Sequence, residues 1–257
     1  MKRSWLWISL ATLLLLALVV IATFPAALAW RWWGDRVPDV RLSSLSGSVW
    51  NGQALRVAVR GQALGKLKWQ VSPWSLLGGN PAATLTLDGP GLKLSGLFAA
   101  AGERQVRVTG LEAEAEAGWL APALAIPALE PTGMLNVSGA SLLLSATGMP
   151  REIDARIEWR EAGVRGQVVA RLGTMVIEAH GRDGRIDATV ADQGDGEVEV
   201  RGSVRLDQGQ YRGETVLVPR ASEGPVVEAL QWVGEPRPEG GRLLIVEGRI
   251  AVPEETL

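Results

Sequence analysis

The sequence predicts an all-β protein, mainly antiparallel, with one N-terminal transmembrane helix and a short C-terminal helix. Three observations lead to this fold class. The chain opens with an apolar run of about 20 residues, most of the remainder alternates between apolar and polar residues, and glycine-containing pairs separate the alternating stretches. We expect the strands to form a curved sheet or groove, built either as one unit or as two related halves.

The composition of the chain argues against a nucleic-acid partner and excludes cysteine-dependent sites. The 257 residues contain 26 Lys and Arg against 28 Asp and Glu, so the formal net charge is -2. A chain with this balance lacks the positive field that attracts nucleic acid, so no nucleic-acid partner is expected. The absence of cysteine excludes disulfides, thiolate metal sites and cysteine nucleophiles.

Residues 5–24 are predicted to span a membrane. At a rise of about 1.5 Å per residue they cover the roughly 30 Å hydrocarbon core. Tryptophans flank the segment as in an aromatic belt, at positions 5, 7, 30, 32 and 33, and Lys2 and Arg3 favour a cytoplasmic amino end. The predicted domains are a cytoplasmic tail at 1–4, the anchor at 5–24, a periplasmic linker at 25–37 and a periplasmic β domain at 38–257.

A cleaved signal peptide is the alternative for the same segment. Pro25 would break the helix, and Ala27-Leu28-Ala29 supplies the small residues of a cleavage site before Trp30. The apolar run exceeds the usual h-region of about 7–15 residues, which favours retention as an anchor. Both interpretations export the rest of the chain.

Period-two alternation beyond Pro38 predicts ten or more strands, because successive side chains of a strand point to opposite faces of the sheet. In the first stretch, Leu55, Val57 and Val59 are expected on the buried face. Further stretches lie at 66–71, 85–87, 106–108, 153–159, 186–190 and 198–206.

Turn residues separate these strands. Asn51-Gly52, Asp183-Gly184 and Asp195-Gly196 can supply the positive φ angles of tight hairpins, and 207–209 suits a slightly longer loop. A helix is predicted at 223–233, with Ser222 as N-cap and Gly234 after its end. A shorter helical turn is expected at Trp119 and Leu120.

A weak internal duplication is visible between 47–69 and 133–159. Each stretch runs from a glycine through alternating residues to a strand that ends in tryptophan, at Trp69 and Trp159. If the duplication is real, the halves are 38–121 and 132–257, joined by the Ala- and Pro-rich stretch 122–131. The spacing differs by a few residues, so a domain without true repeats is the alternative.

Residues with catalytic or metal-binding chemistry are sparse in the sequence. The sole histidine, His180, has no ligand type at metal spacing beside it, so a structural or solvated imidazole is expected. Glu112, Glu114 and Glu116 alternate with alanines, which is more typical of a solvated strand face than of a cation site. The sequence contains no G-x-S-x-G elbow and no phosphate-binding loop. No catalytic, cofactor-binding or metal-binding residue is therefore assigned, and no cofactor is expected.

Four tryptophans of the exported region are candidates for a contact surface or for packing: Trp50, Trp69, Trp74 and Trp159. A tryptophan beside a turn or at a strand end usually packs over the edge of a core. Packing is therefore favoured, and the alternative is a partner-binding or lipid-binding surface.

Two stretches resemble protein N of the type II secretion system. One is Leu45-Ser46-Gly47-Ser48-Val49-Trp50-Asn51-Gly52-Gln53-Ala54 with 67–77, and the other is 230–236 with 240–250. The resemblance implies a non-enzymatic, single-pass accessory subunit in the bacterial inner membrane that supports export of folded periplasmic proteins. It also implies that the partners are other inner-membrane or periplasmic subunits of that system.

The opening motif is also similar, more weakly, to envelope proteins of the AsmA and TamB type. That similarity implies an alternative function, a periplasmic groove that binds or transfers lipid.

Overall fold

The computed structural model describes residues 19–20, 22–34, 39–59, 61–102, 104–120, 129–145, 148–166 and 169–249. The predicted tail at 1–4 and most of the predicted anchor at 5–24 lie outside these residues. None of the described helices is both long and apolar enough to cross a membrane. The predicted linker begins with a helix, α1 (Ala26–Trp33). The chain divides into two compact units, Met1–Pro90 and Gly91–Leu257.

The first unit contains four antiparallel strands in chain order. These are β1 (Val40–Gly47), β2 (Asn51–Val59), β3 (Gln62–Val71) and β4 (Ala82–Gly89). A short helix, α2 (Pro73–Leu77), connects β3 to β4.

The second unit continues the antiparallel pattern. Its strands are β5 (Leu92–Ala100), β6 (Val106–Glu116), β7 (Leu129–Leu144), β8 (Pro150–Gly166), β9 (Ala170–Arg182), β10 (Arg185–Asp192), β11 (Val198–Asp207), β12 (Gln210–Pro219), β13 (Glu235–Pro236) and β14 (Arg242–Arg249). They follow chain order except at the end, where β14 pairs with β12 and the two-residue β13 lies outside β14. The 3-10 helix Ala117–Leu120 follows β6, and α3 (Pro225–Leu230) follows β12. The prediction of an all-β, antiparallel protein with ten or more strands is confirmed.

In most strands, residues that the alternation predicts to be buried are buried in the structure. Val108, Ala155, Ile186, Val198 and Val200 are all buried. The prediction fails at Leu55, which is half exposed, while its neighbour Ala54 is fully buried. A bulge between Ala54 and Val57 explains the difference, because an extra residue shifts the alternation by one position.

Of the four predicted turns, Asp183-Gly184 is confirmed as a tight hairpin, with φ angles of 54° and 80°. A turn is also present at 207–209, but it is shorter than the loop predicted there. Gln208 and Gly209, with φ angles of 48° and 81°, form a two-residue hairpin between β11 and β12. Asn51-Gly52 is wrong as a turn, because both residues belong to β2 and the connection is formed by residues 48–50.

Asp195-Gly196, the third predicted hairpin pair, does not form the turn either. Between β10 and β11 the positive φ angle belongs to Gly194, at 88°, and not to Asp195-Gly196. The Asp195 carboxylate instead accepts hydrogen bonds from the backbone N–H and the hydroxyl of Thr174, at 2.7 and 2.8 Å.

The predicted C-terminal helix is present but shorter than 223–233. Gly224, and not Ser222, occupies the N-cap position of α3. Leu230 of this helix packs against buried Ala162, Met175, Val198 and Val200 of the sheet. The short helix therefore covers one end of the apolar face of the second unit. The predicted helical turn at Trp119 and Leu120 is confirmed.

Trp69 and Trp159 make the same kind of contact. The Trp69 indole N–H donates to the carbonyl of Ser48 at 3.3 Å, and that of Trp159 donates to the carbonyl of Thr132 at 2.8 Å. Each acceptor is next to a positive-φ glycine, Gly47 or Gly133. The shared contact agrees with the predicted duplication, which stays a prediction. Of the predicted joint, residues 122–128 lie outside the described residues and 129–131 begin β7.

Candidate functional site

The polar face of the second unit carries a row of charged side chains across six neighbouring strands. Cα pairing aligns Asp154, His180, Asp187, Arg205, Arg212 and Glu247. Arg205 donates to Asp187 at 2.9 Å, and Arg212 forms ion pairs with Glu214, at 2.9 Å, and with Glu247. Acids and bases in the row therefore neutralise each other across the strands.

These pairs shift the ionisation of the arginines in the expected direction. The hydrogen bond to Asp187 raises the pKa of Arg205, and the hydrogen bond to Glu214 is the main cause that raises the pKa of Arg212. The side chains are well exposed, so each pair contributes little to stability. Asp187, Arg205, Arg212 and Glu247 line an open hollow of about 1140 Å³. The row is typical of a solvated, ion-paired sheet face.

His180 belongs to this face. Its Nδ1 lies 3.1 Å from Asp154 Oδ1, and the two side chains are 68% and 75% exposed. The position near the end of β9, shortly before the Asp183-Gly184 turn, agrees with the sequence prediction. Water surrounds most of an imidazole that is this exposed. The imidazole forms an ion pair with Asp154 only when it is protonated.

Glu112, Glu114 and Glu116 are all exposed on β6, as the alternation predicts, while Ala117 is buried. Glu112 Oε1 accepts the backbone N–H of Gly139 at 2.8 Å, beside the irregular pairing of β7. Within the described residues, no group of three or more acidic or histidine side chains is arranged to hold a metal ion.

The four candidate tryptophans separate into two kinds. Trp50, Trp69 and Trp159 are half-buried, and the last two are fixed by their indole hydrogen bonds. Trp74 on α2 is 79% exposed, so the prediction that it packs over a core is wrong. Its helix begins immediately after β3 and turns this side chain toward solvent.

An apolar cleft lies in the first unit between α1 and the sheet. Ala26, Ala29 and Trp30 form one wall, and the strands supply the other through Leu42, Leu45, Leu67, Trp69 and Leu85. The cavity measures about 370 Å³, within the range of ligand pockets. We call it the α1 cleft. Its lining is suited to an apolar ligand and offers little to bind a polar one.

A half-buried apolar row crosses the second unit. Cα pairing aligns Leu94, Ala113, Val137, Ile157, Ile177 and Val190 from β5 to β10. All six side chains keep partial exposure. Val190, at one end of the row, packs against the cluster that Leu230 of α3 completes. The partial exposure of the other five side chains makes them available for a further apolar contact.

Trp232 is an exposed aromatic side chain that the candidate set from sequence did not include. It follows α3 and is 90% exposed. The Arg242 guanidinium donates to the carbonyls of Gln231, Val233 and Gly234 at 2.7–2.9 Å, so the segment that carries Trp232 is held in place. Tryptophan is among the residue types most enriched in the parts of protein interfaces that contribute most to binding. The Trp-Val-Gly ending of the helix was the available sequence signal.

Asp192 is the other residue missed from sequence. It lies on the apolar side of β10, its side chain is 4% exposed, and it accepts the N–H groups of Val200 and Gly194 at 2.8 and 2.9 Å as well as Arg220. Burial alone would raise the pKa of Asp192, but these donors outweigh it and lower the pKa. Its position in phase with Ile186 and Val190 could have flagged it as a buried carboxylate.

Comparison with known proteins identifies one family. Residues 38–244 match the family model described as type II secretion system (T2SS), protein N. Searches of curated proteins and of solved structures found no match. The matched range includes the α1 cleft strands, the charged row up to β12, and Trp232.

Proposed function

The chain belongs to the protein N family of the type II secretion system, and from this premise we propose that it is a non-enzymatic accessory subunit of that system. In this proposal residues 5–24 hold it in the bacterial inner membrane as a single-pass protein, and the β domain works in the periplasm. The observation that carries the proposal is the family match, because it covers both compact units.

The geometry of the described residues supports a contact-making role. Trp232 projects into solvent from a segment that Arg242 fixes through three backbone carbonyls. Because this backbone is already ordered, the segment loses less conformational entropy when a partner covers the ring, which favours binding. The charged row contributes paired, exposed side chains, which set orientation at an interface rim more than affinity. The proposed partners are other inner-membrane or periplasmic subunits of the secretion system.

Deleting the gene in the source bacterium tests the proposal. We expect proteins secreted by the type II system to accumulate in the periplasm, and the wild-type gene on a plasmid to restore their release. A protein exported by another route serves as the control and should reach the medium normally. Unchanged release of the type II cargo would contradict the proposed function.

Lipid binding is the second candidate function, and the α1 cleft favours it. Apolar side chains line this cavity, and the half-buried row from Leu94 to Val190 offers a further apolar face in the second unit. Apolar surface of this kind gains free energy when an acyl chain covers it.

Mass spectrometry of the purified full-length protein separates the two candidates. In the lipid role, phospholipid should co-purify in a fixed ratio to protein, and Leu45→Asp in the cleft should lower that ratio. Ser43→Asp, an exposed change on the same strand, is the matched control. A deletion strain that secretes normally but has altered outer-membrane phospholipid would replace the secretion role by this one.

A further inference from the structure

The end of the apolar segment is bonded to one end of the first unit. Phe24 is the last residue of the predicted anchor and Pro25 the first of the predicted linker, and the Phe24 carbonyl accepts the N–H of Val49 at 3.0 Å. Pro25 forms an antiparallel bridge with Ser48. Both partners belong to the connection between β1 and β2. This connection therefore lies directly where the apolar segment ends.

Helix α2 lies at the same end of the unit. The N–H of Val71, the last residue of β3, donates to the carbonyl of Trp50 in that connection at 2.7 Å. Ser75 holds the helix against β4, because its hydroxyl bonds the carbonyl of Ser72 at 2.6 Å and the N–H of Ala82 at 2.9 Å. From this fixed helix Trp74 and Leu76 are 79% and 42% exposed.

Helix α1 adds two more exposed apolar side chains. Leu28 and Trp32 are one helical turn apart, on one side of the helix, and are 40% and 64% exposed. The Trp32 ring lies 5.7 Å from the ring of Phe24, measured between centroids. Ala26 and Trp30 face the α1 cleft instead. The exposed side of α1 is thus next to the end of the apolar segment.

We propose that Leu28, Trp32, Trp74 and Leu76 form an interfacial surface that seats the first unit on the membrane that holds residues 5–24. The occupant is the bilayer surface at the headgroup level. Indole rings prefer this level, because their apolar faces and N–H donors are both satisfied there. The hydrogen bonds that the carbonyls of Phe24 and Trp50 accept fix the surface next to the end of the apolar run, which favours lipid over a protein partner.

The seating orients the first unit as well as attaching it. A transmembrane segment alone would leave this unit free to tilt about the end of the segment at Phe24, whereas two tryptophans on separate helices at the interface restrict that tilt. The inference rests on the anchor in the proposed function, so its test must report on the anchor separately.

Single-cysteine labelling of the full chain provides that test, because the natural sequence has no cysteine. An environment-sensitive fluorophore is attached to Leu76→Cys, to Gln62→Cys at the other end of β3 and, within the apolar segment, to Leu14→Cys. The proteins are reconstituted in vesicles of phosphatidylethanolamine and phosphatidylglycerol, with and without lipids that carry a quencher at the headgroup.

We expect the Leu76 probe to emit at shorter wavelength than the Gln62 probe and to be quenched by the headgroup quencher. Adding Trp32→Ser and Trp74→Ser to the Leu76→Cys chain should reverse both effects. If the Leu76 probe is in water and the Leu14 probe is in lipid, the proposed seating is wrong and the proposed anchor is supported. If both probes are in water, the anchor fails and the seating fails with it. A Leu76 probe protected only in envelopes that contain the secretion system would identify a protein partner and also overturn the seating.

Discussion

The indole N–H of Trp159 in β8 donates to the backbone carbonyl of Thr132 in β7 at 2.8 Å. The bond ties the middle of one long strand to the start of its neighbour, beside Gly133, where the pairing is irregular. It also fixes a ring that packs against the buried cluster of Ala162, Met175, Val198, Val200 and Leu230. Trp159 therefore connects strand register to core packing.

Replacing Trp159 with Phe should lower the free energy of unfolding. The change removes the indole donor and leaves the Thr132 carbonyl without this bond, which costs about 1 kcal/mol. Trp159→Ala should cost more, toward the roughly 3–5 kcal/mol of a truncated core aromatic residue. Denaturant unfolding of the purified protein measures both. Trp232→Phe is the matched control, because its ring is exposed, and an equal loss there would contradict this account.

Gly133→Ala should destabilise the protein more than Gly139→Ala. Both glycines are in β7 with positive φ angles, 101° and 65°, so both changes introduce backbone strain. A Cβ at Gly133 would lie 2.4 Å from the carbonyl oxygen of Arg160, whereas nothing lies within 4 Å at Gly139. Differential scanning calorimetry compares the melting temperatures. Equal losses would mean that strain alone, without the close contact to β8, determines the effect.

Asp192→Asn should destabilise the protein in a pH-dependent way. The pKa of Asp192 is lowered in the folded state, so its contribution is present above the unfolded value of about 4. That contribution is lost as pH falls through the lowered folded pKa. Unfolding free energies should therefore differ most between variant and wild type near neutral pH and converge in acid. A difference independent of pH would contradict the charged role of this carboxylate.

Trp232→Ala should reduce secretion without changing the melting temperature, because the ring is 90% exposed and contributes little to packing. His180→Ala is the control and should change neither, since its ion pair with Asp154 is exposed. Complementation of the deletion strain measures release of type II cargo, and circular dichroism measures melting. Loss of melting temperature in Trp232→Ala would indicate packing instead of contact.

Alternation was sufficient to predict an antiparallel sheet, and the buried positions of Ala155, Ile186 and Val200 follow from it. It failed at Leu55, because a bulge is a property of two paired strands and cannot be read from one of them. Asn51-Gly52 failed as a turn for a related reason, since the Ser48–Trp50 connection depends on bonds to Phe24 and Val71.

The contact residues were harder to predict than the strands. Trp69 and Trp74 are close in sequence and both follow alternating residues, but one bonds Ser48 and the other faces solvent. Trp232 is exposed on a segment whose backbone is held by Arg242, a residue of strand β14. The exposure of an aromatic side chain depends on contacts with residues that are distant in sequence. Such contacts cannot be inferred from the composition or from the alternation of apolar and polar residues.

Site-specific cross-linking in the source bacterium tests the central claim most directly. A photoreactive amino acid replaces Trp232 in the full-length protein, and the same amino acid at His180 is the control position. We expect the Trp232 position to form cross-links to other type II secretion subunits, identified by mass spectrometry, and the His180 position to form none. Cross-links from Trp232 only to lipid, or none in cells that secrete actively, would contradict a contact-making role in the secretion system.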